Sequence, residues 1–340
     1  MGMQLDRRLV FTAAMALAMG AMANGARAEA VTFKDKQIRI VVGSSAGAGF
    51  DAFGRMVGRH LGEHLPGRPN VIVSNMPGAG SLRAVQSVRT QPADGTYIVL
   101  FNPGQVLNSI LQPGKVKVNF TNDVTFLGSA SADARVCYAW HTTGVKTLKD
   151  LLARKEPFAT GHTGTSAATY IDAAILKNLF KAPIKQIVGY PGSTEQQLGV
   201  ERGELHGDCG SWGSVPRHWI KDKKINIFVR ISKVSLPELK DVPFVGDFAD
   251  EEQKKIIFLL TTHNDMFRPF IVHKDTPPAV LKVLREAFWK TVNGKAMLAE
   301  AHKSNREVIE PMRGEELAKV VAELYKTPPN LVTRAAAAVK

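Results

Sequence analysis

Cysteine is nearly missing: Cys137 and Cys209 are the only two in 340 residues. That count excludes a small scaffold stapled by disulfides, and the spacing fits no cysteine-based metal site. Long apolar runs are missing too. No stretch reaches the roughly 18 consecutive apolar residues that a transmembrane helix needs. Acid is short relative to base, and the formal net charge is +13. The lysines and arginines are scattered, however, and no basic run is interleaved with aromatics. Nucleic acid is therefore not an expected partner. The charge fits an acidic small molecule or simply a solvated positive surface. Neither H-E-x-x-H nor S-x-x-K occurs. Internal repeats are absent, and only the alanine-rich C-terminal end has low complexity.

What is present begins with an export signal. Arg7 and Arg8 form a basic start, residues 9–23 an apolar stretch too short to span a bilayer, and Ala26-Arg27-Ala28 a small-x-small cleavage site. No cysteine follows the stretch, which excludes a lipid anchor at the cleavage point. The arginine pair permits twin-arginine export, although Val10 and Phe11 match that pattern loosely. Residues 1–28 are expected to be removed, with cleavage after Ala30 as the near alternative. The mature chain is then a soluble periplasmic protein. Loss of Asp6, Arg7, Arg8 and Arg27 takes the net charge from +13 to +11. The remaining length suits two domains of ordinary size. In an oxidising compartment an even cysteine pair most often forms one bridge; the alternative is two buried thiols that never meet. Closing the 137–209 loop would contribute about 4 kcal/mol on the chain-entropy model.

Strand and helix signals alternate along the chain, which predicts sheets with parallel strands and helices on their faces. A strand at 38–42 precedes a helix at about 51–65, with Phe53, Val57, Leu61 and Leu65 on one face. Further strands are expected at 71–73, 97–101, 134–140, 157–160, 187–190, 205–209, 225–231 and 267–273. Helices are expected from 80 to 89, over 147–154, behind residue 166 and over 315–325. Ile171, Ala174, Ile175 and Leu179 mark the apolar face of the third, and Thr165 or Ser166 its N-cap. Thr276 is the expected N-cap of another helix, with Pro277 at its first position.

Residues 38–51 are the most informative stretch. A buried strand running through small residues into a helix leaves backbone N–H groups uncovered, and these attract anions. Glycine-rich loops recur at 43–49, 77–80 and 161–164, at the carboxyl ends of strands, where open α/β sheets bind ligands. Such loops in separate halves suggest a ligand held between two lobes.

Three motifs have competing readings. Gly47-Ala48-Gly49-Phe50-Asp51-Ala52 has the G-x-G-x-x-A form of a dinucleotide site, but the next strand ends in Ser74-Asn75 rather than an acid. No cofactor is expected. His60-Leu61-Gly62-Glu63-His64 matches H-x-x-E-H but has no evident third ligand. Both histidines sit at a helix C-terminus, where the dipole favours them, so no metal is expected. His162 is equally a candidate base, ligand contact or loop-packing residue. Trp140, Trp212 and Trp219 line a pocket or fill the core.

Four stretches together resemble the substrate-binding proteins of tripartite tricarboxylate transporters, the Bug family. Residues 38–51 are similar to its first strand and Ala-Gly-Gly-Gly-Thr-Asp loop. Val73-Ser74-Asn75-Met76-Pro77-Gly78-Ala79-Gly80 resembles its Val-x-Asn-x-Pro-Gly-Ala-Gly element. Pro92-Ala93-Asp94-Gly95-Thr96-Tyr97 looks like its Pro-Asp-Gly-Tyr turn. Residues 161–166, then Gly189-Tyr190-Pro191-Gly192, resemble its second ligand loop and Tyr-Lys-Gly segment. The resemblance implies an α/β, two-lobed periplasmic-binding-protein fold (type II, Venus flytrap) with mixed sheets and two interlobe crossings. Lobe I would hold 29–135 and 265–340, and lobe II 136–264. It further implies a non-enzymatic, monomeric carrier that grips a small carboxylate, in the first instance a dicarboxylate, and delivers it to integral membrane subunits. Carried over, Ser44, Ser45, Ala46, Gly47, Ala48, Gly49 and Phe50 form the first clamp, with Asp51 holding the loop and capping its helix. His162, Thr163, Thr165 and Ser166 form the second clamp, and Asn102 and Asp208 complete the set. Ser44-Ser45, Phe50 and Pro191 depart from the family pattern, as does the cysteine pair. The alternative is a secreted hydrolase using His162 or a His60/His64 metal site.

Overall fold

A run such as Ile-Arg-Ile-Val-Val, apolar on both faces, can only be a strand buried between neighbours, and it forms the middle of a sheet. The structure, a computed structural model, describes residues 30–340 apart from 235 and 305. The expected export signal at 1–28 lies outside the described residues. Phe33–Lys340 is one unit containing two sheets. Its strands are β1 (Gln37–Val42), β2 (Asn70–Asn75), β3 (Tyr97–Leu100), β4 (Val124–Ser129), β5 (Arg135–Trp140), β6 (Phe158–His162), β7 (Ile184–Val188), β8 (Gly207–Ser211), β9 (Ile225–Arg230), β10 (Pro269–His273) and β11 (Met312–Arg313).

The first sheet has the order β11-β4-β10-β3-β1-β2 and the second β7-β6-β8-β5-β9. β1 runs parallel to both neighbours, with Ile40 opposite Val73 and Ile98. β10 is antiparallel to β3 and β4, so the first sheet is mixed. The second is mixed as well: β6 is parallel to β7 and β8, while β5 is antiparallel to β8 and β9. The chain crosses from the first sheet to the second between β4 and β5, and returns between β9 and β10. Among the described residues, no helix is long and apolar enough to cross a membrane.

Local sequence explains most elements. The Gly49–Leu61 helix buries Phe53, Val57 and Leu61. It stops at Leu61, before the expected end, because a 3-10 turn at Gly62–His64 leads into Pro66-Gly67; Leu65 is buried all the same. β7 begins at Ile184 rather than 187, so Gly189-Tyr190-Pro191-Gly192 is a loop that delivers the Ser193–Glu201 helix to the sheet edge. The expected caps at Thr165 or Ser166 are not used. The N-cap of the Ala168–Ala174 helix is Ala167, and Asn102 Oδ1 accepts from Ala168 N at 3.0 Å in place of a local cap. The proline signal is displaced by one residue: Pro277 is the N-cap and Pro278 the first helical residue. Cys137 and Cys209 stand opposite each other on β5 and β8 and form a disulfide.

Candidate functional site

The loop after β1 is shaped by one carboxylate. Asp51, in the first turn of the Gly49–Leu61 helix, is almost fully buried. Its Oδ2 accepts from Gly47 N at 2.8 Å and Arg55 Nε at 2.9 Å, and its Oδ1 from Asn75 Nδ2 at 2.8 Å. Burial raises its pKa, but the hydrogen bonds from Arg55, Gly47 and Asn75 and the Arg55 charge outweigh that and leave it below the ordinary aspartate value. The same Asn75 Nδ2 donates to Ser44 O at 2.9 Å, so the loop is held at two points. Gly47 turns the chain with φ +80°, a conformation costly for other residues. Among the described residues, the amides of Phe50 and Asp51 donate to no acceptor, as is usual in the first turn of a helix, where such groups favour anions.

A second loop shares the floor. Ser81 (φ 81°) lines the cavity beside Gly43, with its Oγ donating to Gly43 O at 2.9 Å. Ala79 (φ 47°) is also left-handed, and Gln105 Nε2 donates to Ala79 O and Gly80 O. Strain held by such contacts is common at ligand sites.

Between these loops and the second sheet lies a cavity of about 60 Å³. From the first sheet's side it is lined by Gly43, Ser44, Ala48, Gly49, Phe50 and Asn102, with Phe267 and Arg268 from the returning crossing. The other side supplies Arg135 and Tyr138 of β5, Asp208 and Ser211 of β8, Thr163 and Thr169, and Ser193, Gln196 and Gln197 of the Ser193–Glu201 helix. Polar atoms join the two sides directly. Ser45 Oγ donates to Glu195 Oε2 at 2.9 Å, Gly49 N to Ser193 Oγ at 3.2 Å, Ser45 N to Pro191 O at 3.2 Å and Gly80 N to Thr163 O at 3.1 Å. The approach is close enough that a Cβ on Gly49 would fall 2.1 Å from Ser214 Oγ.

Of the expected ligand residues, Ser44, Ala48, Gly49, Phe50, Asn102, Thr163 and Asp208 line this cavity, whereas Ser45, Ala46, Gly47, Asp51, His162, Thr165 and Ser166 do not. Ser45, Gly47 and Asp51 serve the loop's shape and its contact with Glu195. His162 is fully buried, with Nε2 2.9 Å from Thr160 Oγ1 and Nδ1 3.2 Å from Thr169 Oγ1; desolvation and the charge of Lys177 lower its pKa to about 3. It positions Thr169, which does reach the cavity. Arg135, Tyr138, Thr169, Ser193, Gln196 and Arg268 were not in the expected set. Nothing local marks them, since they converge only when the two sheets meet.

Charge is dense behind the lining. Arg135 is buried and paired with Asp172 (2.5 Å) and Asp133 (3.1 Å). Asp208 accepts from Cys209 N at 2.8 Å, and burial drives its pKa up to about 7 despite that bond and the nearby Arg135. Tyr138, paired with Asp208 across the strands, is raised well above 10 by burial and by that neighbour. Trp212 and Trp219 are core residues whose Nε1 atoms donate to Glu238 and Glu201.

Gly43-Ser44-Ser45-Ala46-Gly47 also spells G-x-S-x-G. A nucleophile elbow exposes its serine to the site and pairs it with a histidine; Ser45 does not line the cavity, and its Oγ donates to Glu195. His60 Nε2 lies 2.9 Å from Glu300 Oε2, and Arg59 joins the same carboxylate. Among the described residues, no group of three or more His, Cys, Asp or Glu side chains could hold a metal.

The fold is that of solved periplasmic binding proteins. No family model matches the chain. It is similar to the UPF0065 protein in the TAR-I ttuE-ttuC' intergenic region of Agrobacterium vitis, 24% identical over 273 residues that cover 79% of this chain and 75% of the relative. Among solved structures it is similar to MatC from Rhodopseudomonas palustris with bound malate (TM-score 0.72, 15% identity, 87% of this chain and 98% of that one). The periplasmic binding protein BugD is equally near (TM-score 0.71, 17% identity, 88% and 97%).

Proposed function

We propose that the protein is an extracytoplasmic solute-binding protein that captures a small carboxylate, in the first instance a dicarboxylate, and hands it to the membrane subunits of a tripartite tricarboxylate transporter. One observation supports this most: Gly49 and Phe50, at the start of the Gly49–Leu61 helix, line a cavity closed from the other side by hydroxyl and amide side chains. Such a site offers donors to an anion from both sheets, and a buried carboxylate needs donors to offset its desolvation. MatC, of the same fold, holds malate. In this reading lobe I (29–135 and 265–340) and lobe II (136–264) hinge about the two crossings and close on the ligand. The chain works as a monomer in the periplasm after loss of residues 1–28. In this reading the ligand is held and released unchanged.

Titration calorimetry of the mature protein with succinate, malate, adipate and citrate, each beside its methyl ester, tests the reading. Binding of at least one free acid with its ester far weaker is the expected result. Equal affinity for the neutral esters, or turnover of them, overturns it.

A further inference from the structure

Arg268 is the largest charge in the cavity wall left without a counter-ion. It is 3% exposed. Its Nη2 makes one long contact, 3.4 Å to Ser211 Oγ, while Nε and Nη1 meet no hydrogen-bond acceptor among the described residues. The Asp133 charge acts on it, but among the described residues Asp133 makes no hydrogen bond to it; its Oδ1 accepts from Ser211 Oγ at 2.6 Å and its Oδ2 from Arg135 Nη1 at 3.1 Å. Asp172 pairs with Arg135 through Oδ2, and neither of its oxygens bonds to Arg268 among the described residues. Burying a guanidinium without an anion is unfavourable. Here the cost is only partly offset by three aromatic faces, with the guanidinium carbon 4.6 Å from the rings of Phe50 and Phe53 and 4.4 Å from that of Phe267.

Its position is as telling as its missing partner. A Cβ placed on Gly49 would lie 3.9 Å from Arg268 Nη2, so the guanidinium stands beside the helix start whose Phe50 and Asp51 amides are unpaired. The backbone of Arg268 is tied to the other crossing, with its N donating to Ser131 O and its O accepting from Ala130 N.

We propose that Arg268 is the charged anchor of the ligand, forming a charge-assisted pair with one carboxylate that also takes the free amides of the Gly49–Leu61 helix. The inference rests on the carboxylate reading above and adds the residue that selects for full negative charge. Burial and the neighbouring Arg135 and Arg306 lower the pKa of Arg268 to about 10, with Asp133 opposing them, so it stays cationic at neutral pH. Arginine fits the task because its planar fork can meet a carboxylate with two parallel N–H donors.

The test compares malate with its diamide, which keeps the shape and loses both charges, by calorimetry on wild type, Arg268→Gln and Arg268→Lys. Wild type should prefer the acid strongly. Arg268→Gln should weaken malate by about 10- to 100-fold while leaving the diamide near its wild-type affinity, so the preference collapses. Arg268→Lys should fall between. A guanidinium that merely supports the fold would weaken both ligands alike and leave their ratio unchanged; that result, or wild-type malate affinity in Arg268→Gln, overturns the proposal. Should the variants fail to fold, wild-type protein labelled with nitrogen-15 at arginine decides: the Arg268 Nε–H resonance must move on addition of malate, and a stationary signal at saturation overturns it. If wild type binds malate but these outcomes fail, the carboxylate reading stands without Arg268. If wild type binds no free acid, both fall.

Discussion

Asp208 is a carboxyl group facing a cavity suited to carboxylates, and its protonation decides whether it helps or repels. Burial holds its pKa up to about 7, with the Cys209 amide and Arg135 lowering it and Asp172 raising it again. Below that value it is a neutral acid with an O–H to donate; above it, a negative charge opposes an anionic ligand. Tyr138, across the strand pair, stays neutral over the same range. Affinity for a dicarboxylate should therefore fall by about tenfold as pH rises from 6 to 8, following the protonated fraction. Asp208→Asn should flatten the profile and keep the low-pH affinity. Calorimetry at several pH values checks this, and an unchanged slope in Asp208→Asn would remove Asp208 from the site. Single residues were legible where the chain announces them locally. Ser44, Gly49 and Phe50 follow a strand through a glycine-rich turn, so the sequence places them at a helix start. Arg268 and Tyr138 lie in apolar or mixed segments with no such punctuation. Their neighbours in space are far away in sequence: Arg268 meets Phe50 and Phe53 only because the returning crossing passes beside the first helix.

β5 and β8 carry both halves of this chemistry. Tyr138 and Asp208 are opposed across the pair, and the residues beside them, Cys137 and Cys209, are bonded covalently. The bridge spans 72 positions and limits the unfolded chain; on the chain-entropy model it stabilises by about 4 kcal/mol. Denaturant unfolding with and without reductant should show a loss of that order, with Cys137→Ser/Cys209→Ser matching the reduced protein. Two alkylatable thiols in denatured, unreduced protein would mean that the bridge does not form in solution. Elements were readable where period and punctuation agree, as in β1, the Gly49–Leu61 helix and β6. They were missed where tertiary contacts do the work. The Gly104–Leu111 helix has a proline as its N-cap residue and no side-chain cap, and the Ser193–Glu201 helix buries Gln196, Gly199 and Val200, a weakly apolar face. The cap expected from Thr165 or Ser166 failed for a similar reason: Asn102, more than 60 positions upstream, satisfies Ala168 N. A hydroxyl in the right local place loses to an amide delivered by the fold.

At the scale of the whole molecule, glycine-rich loops in separate halves suggested a ligand held between two lobes; the structure has two sheets joined by two crossings, with a cavity between them. Which side chains meet across that space was beyond reach, because Ser45 and Glu195 are 150 positions apart and no periodicity links them. Those contacts matter for how the protein works. Ser45 to Glu195, Gly49 to Ser193 and Ser45 to Pro191 all join the first loop to the start of one helix. Bonds that join the two sides directly favour the closed form, and the free energy they supply is not required from the ligand. Removing one such bond should shift the empty protein toward a more open form and lower apparent affinity, because a smaller fraction is competent to hold the ligand. Glu195→Ala takes away the Ser45 acceptor without changing the cavity wall. We expect the radius of gyration of the ligand-free variant to exceed that of wild type in small-angle scattering, with the two equal at saturating dicarboxylate. Affinity should drop by about fivefold, the worth of one ordinary hydrogen bond. If Glu195→Ala leaves both the empty dimensions and the affinity unchanged, the bond is incidental and closure is driven by the ligand alone.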